Sequence, residues 1–272
     1  MAVNTDLFQV LWFISCSLSI VGALSIICVH LASVAMRKSK LRHMLFILSI
    51  FDLLAAISYL IGIAANMNDG ALGCKVMALI CIFFPVAAFL ATDCISLFLL
   101  LSTFYPHIRW RSRSVMSAFL TVCLVIPTCI TSAVAILDIE GLDSEFSEFC
   151  WIKHTDNTTN QFLWRLLAGK AIEWTSFAFV VCCTIPTVWK MHQTQRALNL
   201  QSSTTVVRMS FVPVVFIILR IPSGVSTIME HQGKDIATLS YLVAVGDPGQ
   251  GFMNGLIYVF SSQAARRILL GP

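Results

Sequence analysis

"CKVMALICIFFPVAAFLATDCISLFLLLSTFY", residues 74–105, carries only Lys75 at its first turn and Asp93 far inside as charges. A helix needs about 20 mostly apolar residues to cross a hydrocarbon core, so this stretch predicts a transmembrane helix. Working outward, six more stretches have the same character, near 7–36, 44–66, 115–137, 164–190, 206–229 and 236–260. The whole chain agrees: 57% of its 272 residues are hydrophobic, 12% are charged and the mean hydropathy is +0.83, far from the balance of a soluble domain. The expectation is an all-α membrane protein, a seven-transmembrane helix bundle forming one domain over residues 1–272.

The start "MAVNTDLFQVLW" has no basic region, and the apolar run after it is too long for a cleavable signal peptide. Charge then orients the bundle. "RKSKLRH" (37–43), "HIRWRSRS" (107–114), the segment from Lys190 to Arg208 and "ARR" (265–267) together hold 12 Lys and Arg and no acid. The alternate loops hold ten acids against four bases, Asp6 and Asp138 to Asp156 among them. The positive-inside rule therefore places the N-terminus outside and the C-terminus inside.

Of ten cysteines, eight lie within apolar spans, where a thiol behaves as a small hydrophobe. Cys74 and Cys150 instead fall on the oxidising side, at the start of the third span and in the acidic loop after the fourth. They are expected to be bonded. The same loop holds the sequon "NTT" at Asn157, an expected glycosylation site.

Ionisable groups inside the bilayer cost at least about 2.5–3.5 kcal/mol for Asp, Lys and Arg at a helix centre, so they should face the bundle and find partners. There are six: Asp52, Asp93, Lys170, Glu173, Arg220 and Asp247. In "GDPGQGFMNGLIYVF" (246–260), Asp247, Gln250, Asn254 and Tyr258 share one helical face, with Pro248, Gly251 and Gly255 beside it. The polar stripe predicts an inward face, and the small residues predict close approach of a neighbouring backbone. Ser49, Asp52, Ala56 and Tyr59 form a comparable stripe on the second span. Asp52 and Asn254 are expected partners, with water or sodium as an optional bridge; their role is open between a structural clamp and an element of activation. Lys170, Glu173, Trp174, Arg220 and Asp247 are candidates for the lining of a cavity open to the outside. Two roles are open to the four charges among them: ligand contacts, or internal pairs of Lys170 with Glu173 and of Arg220 with Asp247. Asp93 lies too deep for an outer pocket and is assigned to packing or activation.

Several classes fall away. The last span has no Lys for a retinal Schiff base, no His/Asp cluster has zinc-ligand spacing, and no nucleophile–base constellation appears. An enzyme is not expected, nor any cofactor or nucleic-acid partner. A small-solute transporter or channel remains the alternative, although no internal repeat of the kind many transporters carry is visible. A receptor accounts for more: a tethered acidic outer loop, a polar interior, helices kinked by proline, and a basic inner face. Arg109, Arg111, Arg113, Arg196 and Arg208 on that face are candidates for contact with a G protein. Attraction to anionic lipid accounts for the same charges at about 1 kcal/mol each.

"SCSLSIVGALSII" (15–27), "LFILSIFDLLAAISYLIG" (45–62), "CWI" (150–152) with "LWRLLAGKAIEW" (163–174), "VPVVFIILR" (212–220) and "GQGFMNGLIYVF" (249–260) together resemble the orphan G-protein-coupled receptor 157-like group. More distantly they are similar to slime-mould cyclic-AMP receptors and secretin-like receptors. The resemblance implies a plasma-membrane receptor for an unknown extracellular ligand, acting on a heterotrimeric G protein, with basal signalling left open. It also implies that Cys74 and Cys150 form the disulfide between helix three and the following outer loop, and that "QGFMN" is the helix-seven signature. Two departures separate the chain from rhodopsin-like receptors. Gly255 stands where their inner helix-seven motif has proline, and "LFLLLSTFYPHIRW" (97–110) lacks their Asp/Glu-Arg-Tyr triplet.

Overall fold

The computed structural model describes residues 5–37, 39–64, 72–106, 112–143, 149–152, 163–198, 211–232, 236–261 and 265. Six helices among them are long and apolar enough to cross a membrane. These are α1 (Thr5–Ala32), α2 (Lys40–Ala64), α3 (Leu72–Phe104), α4 (Ser112–Leu137), α5 (Ala171–Leu198) and α6 (Phe211–His231). Two shorter helices follow, α7 (Ala237–Gly246) and α8 (Gln250–Ser261). A two-stranded antiparallel hairpin, β1 (Glu140–Asp143) and β2 (Phe149–Ile152), follows α4 and pairs Leu142 with Cys150.

The largest departure from expectation lies in the last stretch, read as one continuous span over 236–260. It is broken by a turn at residues 247–249. Pro248 has no N–H to donate, and its ring crowds the carbonyl four residues back. Gly249 completes the break, since a Cβ there would lie 2.5 Å from the Val245 carbonyl oxygen. Smaller differences occur elsewhere. The first span ends at Ala32, and after Ser33 a single turn covers Val34–Arg37. The fifth helix continues past residue 190 to Leu198.

The helices close into a ring in which α1 packs on α2, α7 and α8, α2 on α3, α3 on α4 and α5, α5 on α6, and α6 on α7 and α8. The long α3 runs through the middle and is buried along its length from Cys74 to Leu99. By contrast α4 stands outside the ring, showing Leu120, Leu124, Val125 and Ile126 to the surroundings. In lipid such side chains gain nothing by hiding, so helix association depends on fit and polar contacts. The α1–α8 contact shows the consequence. A Cβ on Gly255 would lie 2.7 Å from the Gly22 Cα, and one on Gly22 would lie 2.5 Å from the Gly251 carbonyl oxygen. The small-residue face of "GQGFMNG" thus meets "SLSIVG" of α1, backbone against backbone.

Cys74 and Cys150 form a disulfide with Cα atoms 5.3 Å apart. It fastens β2 to the first turn of α3. Ile152 of the hairpin packs with Ile82, Val86, Val134 and Ala168, filling the space between α3, α4 and the start of the fifth helix. Lys75 of α3 pairs with Asp138, which follows α4 with φ 52°. Asp tolerates that left-handed conformation better than most residues.

Candidate functional site

Toward the disulfide end, three helices deliver charges to one place. The delivery begins with a π-helical turn over Leu166–Lys170, in which the Ala171 N–H bonds the Leu166 carbonyl five residues back. Such turns re-aim side chains and often mark functional sites. Here the turn carries Lys170 inward. Its ammonium lies 2.9 Å from Glu173 Oε2 and also donates to Ser223 Oγ of α6. Ser223 in turn donates to Asp247 Oδ2 over 3.2 Å.

Asp247 sits in the break between α7 and α8, and Arg220 of α6 grips it twice. The guanidinium Nη1 is 3.1 Å from Asp247 Oδ1, a charge contact without hydrogen-bond alignment, and Nη2 donates to the Asp247 backbone carbonyl at 3.2 Å. The same Nη2 reaches the Gln250 Oε1 at 3.5 Å, a long bond. Beneath lies an aromatic floor, with the guanidinium carbon 4.5 Å from the Phe89 ring centre and Phe89 packed on Phe216. A cation over a desolvated ring face is held by about 2 kcal/mol.

Lys170, Glu173, Ser223, Asp247, Arg220 and Gln250 therefore form one connected network of two positive and two negative groups. The four charged side chains are between 4% and 14% exposed, which keeps the ion pairs out of high dielectric. The network is not saturated: Glu173 Oε1, Arg220 Nε and Gln250 Nε2 are buried without hydrogen-bond partners. Trp174 stands at the edge, its indole nitrogen so close to Gly224 that a Cβ there would lie 3.1 Å away.

A second polar cluster lies deeper. The Asn254 amide donates to Asp52 Oδ2 at 2.9 Å, joining α8 to α2. Ser19 of α1 completes the cluster, because a Cβ on Gly251 would meet both Ser19 Oγ at 2.5 Å and Asp52 Cβ at 3.2 Å. Asn254 Oδ1, Ser19 Oγ and, further along α8, the Tyr258 hydroxyl are buried without hydrogen-bond partners. Oxygen donors of this kind fit water or a hard monovalent ion such as sodium. Among the described residues no group of three or more His, Cys, Asp or Glu side chains has the arrangement to hold a metal ion.

Asp93 belongs to neither cluster. It accepts a hydrogen bond from Ser176 of α5 at 2.8 Å and so ties α3 to α5. Of the arginines expected on a basic face, Arg113 is exposed at the start of α4 and Arg196 belongs to α5. Arg109, Arg111, Arg208 and Asn157 lie outside the described residues. Sequence reasoning missed Ser19, Gly22, Phe89, Ser176 and Ser223, which carry no charge and gain a role only through a neighbour on another helix. It assigned no role to His30, the one histidine well inside a span, which is buried and stacked on Phe46 with ring centres 4.4 Å apart. His43 stands 5.4 Å from it across the α1–α2 connection. The one signal for the α1 residues was the spacing of Ser15, Ser19 and Gly22 along one helical face.

The profile of the "7 transmembrane receptor (Secretin family)" matches residues 5–253, which include α1 to α7 and the polar residues of both clusters except Asn254 and Tyr258. The chain belongs to the secretin family of seven-transmembrane receptors. It is similar to G-protein coupled receptor 157 of Homo sapiens, at 28% identity over 93% of this chain and 80% of that protein. The proteins of the same name from Mus musculus and Rattus norvegicus are 27% and 26% identical, each match covering 93% of this chain and 82% of the relative. This is therefore a multi-pass membrane receptor of the G-protein-coupled class, and the two polar clusters are features of a receptor core.

Proposed function

We propose that this receptor carries a signal from an extracellular ligand to a heterotrimeric G protein across the plasma membrane. The N-terminus lies outside and the C-terminus inside, and α7 with α8 makes a broken seventh span of a single domain. The ligand acts at the network of Lys170, Glu173, Trp174, Arg220 and Asp247. Its arrival exchanges one partner of an ion pair and frees α6 to swing outward, exposing the basic face to which the sequence assigns Arg109, Arg111, Arg113, Arg196 and Arg208. Asp52, Asn254 and Tyr258, with Asp93 on the α3–α5 side, pass the change toward that face. Sodium or water at Asp52 belongs to the same relay, Asn157 carries a glycan, and ligand-free basal signalling fits the same scheme.

One observation carries this reading above all: the network joins α5, α6 and the α7–α8 break through Lys170, Ser223, Asp247 and Arg220. Packing with few alternatives lets a single exchanged partner move a whole helix. A second-messenger assay in cells expressing the receptor, compared with Arg220→Ala and Asp247→Ala at matched surface levels, tests it. The expected outcome is a messenger change on expression or stimulation that both substitutions alter. No messenger change, together with uptake of a small solute, would establish the transporter alternative instead.

A further inference from the structure

The groove of about 310 Å³ that stays open between α3 and α4, where Phe83 and Phe84 stand opposite Ala135, has no charged residue in its walls. Open polar valences lie instead in the network of Lys170, Glu173, Ser223, Asp247, Arg220 and Gln250, and they are of two kinds. Glu173 Oε1 is an acceptor without a donor, while Arg220 Nε and Gln250 Nε2 are donors without an acceptor. All three side chains are more than nine-tenths buried, so water is kept from atoms that have lost it without replacement.

The accessible edge has a different make-up. Lys170 and Asp247 keep 14% and 13% of their side chains exposed, against 4% for Glu173 and 6% for Arg220. Each of the more exposed charges covers a buried one of opposite sign, Lys170 over Glu173 and Asp247 over Arg220. Ser223 holds the two covers together, accepting from Lys170 and donating to Asp247. When both covers turn from their partners they stay within reach of each other, and they leave one acidic and one basic socket.

Charge balance selects what fits those sockets. The four charges sum to zero, so a lone cation or anion entering the network adds an uncompensated charge in low dielectric, which is heavily penalised. A molecule carrying both signs adds none. Its ammonium takes the place of Lys170 on Glu173 and reaches Oε1; its carboxylate takes the place of Asp247 on Arg220 and accepts from Nε and from Gln250 Nε2. Lys170 and Asp247 then pair through Ser223, and every charge has a partner before and after the exchange. Lys170 Nζ touches both Glu173 and Ser223, which sets the acidic socket near the level of Ser223. Arg220 lies three residues away on α6, roughly 4.5 Å by helix rise, so the two charged ends must be only a few bonds apart.

We propose that this network receives a small zwitterion, a primary amine and a carboxylate joined by a short carbon chain. The proposal rests on the reading of the network as the ligand site and adds the class of its ligand.

Full-length receptor in nanodiscs tests it, with the melting temperature followed against millimolar glycine, β-alanine and γ-aminobutyrate, and against n-butylamine and butyrate as single-charge controls. At least one zwitterion is expected to raise the melting temperature, and both controls to leave it unchanged. Gln250→Met, close in volume and uncharged, removes the Nε2 donor and is expected to weaken that binding about 10- to 100-fold. Glu173→Gln gives the network a net positive charge, so it should lose the response to the zwitterion and gain one to butyrate. A merely structural Glu173 would produce no such exchange of ligands, and the two variants lie on different helices, so misfolding of one leaves the other to decide. A shift by no zwitterion, or an equal shift by either control in the unsubstituted receptor, overturns the proposal. A messenger response to a stimulus that is not a zwitterion, lost in Arg220→Ala and Asp247→Ala, keeps the network as the receptor site and overturns the ligand class alone. A zwitterion-dependent shift without any messenger change does the reverse, upholding the site and removing the signalling role.

Discussion

Asn254 donates its side-chain amide to Asp52 across 2.9 Å, so α8 is tied to α2 through two residues 202 positions apart in the chain. Both are almost fully buried, and the side-chain oxygen of Asn254 has no hydrogen-bond partner. Polar pairs between membrane helices contribute on average about 0.6 kcal/mol and at most about 1.7. A double-mutant cycle of Asp52→Asn and Asn254→Ala, read by thermal unfolding in detergent, is expected to return a coupling energy in that range. A coupling indistinguishable from zero would mean that the contact does not hold the two helices together.

Arg220 and Asp247 should behave differently, because each leaves a buried charge behind when the other is removed. Loss of one partner of a buried pair costs about 3–5 kcal/mol, while apolar replacement of both is often close to neutral. Arg220→Met and Asp247→Leu are each expected to lower the melting temperature and surface expression sharply. The double variant should recover stability yet stay silent in the messenger assay. Recovery of signalling by the double variant would remove the pair from the proposed trigger.

The α1–α8 contact leaves no room for a side chain. Gly255→Ala and Gly22→Ala place a methyl against backbone atoms at 2.7 Å and 2.5 Å. Neither helix can shift without disturbing the Asp52 cluster beside it, so each substitution is expected to cost about 1–3 kcal/mol as overpacking. Gly169→Ala is the control, since nothing lies within 4 Å of its added carbon. It should be neutral or stabilising by about 0.4–1 kcal/mol through the unfolded state. Comparison of the three melting temperatures decides the matter.

Cys74→Ser and Cys150→Ser break the same bond, which closes a sequence separation of 76 residues. Each single variant and the double should therefore lose the same stability, about 2–5 kcal/mol. If one single variant is markedly worse than the double, the remaining thiol is mispairing, and a thiol count on the cell surface will show it.

Much of this core was legible in the order of residues, and the failures have physical causes. The six intramembrane charges stood out because hydrocarbon penalises each of them whatever the fold. The stripe of Gln250, Asn254 and Tyr258 stood out because helical periodicity puts those three on one face, and all three are buried. Pro248 was visible too, but whether a proline merely bends a span or breaks it depends on the neighbours that take up the released backbone groups. The π-turn before Ala171 left no local mark at all; only the partners that Lys170 finds on α5 and α6 identify its direction. Ser223 and Ser19 look like any other serine until a second helix brings Asp247 or Asp52 alongside.

Transfer into a membrane is additive along the chain, so residue order alone settled that this is an apolar helical protein, which of its charges must be satisfied inside, and which two cysteines lie at or beyond the ends of the apolar spans. Helix rotation, crossing and spacing are not additive. They follow from small residues meeting small residues, as Gly22 meets Gly251 and Gly255, and from side chains too large to interlock, as Phe83 and Phe84 opposite Ala135. Only the packed bundle could decide that Lys170 reaches Ser223, that Asp247 sits in a break rather than on a helix, and that a groove stays open between α3 and α4. Those distances depend on several helices fitting at once, and no single stretch of chain contains them.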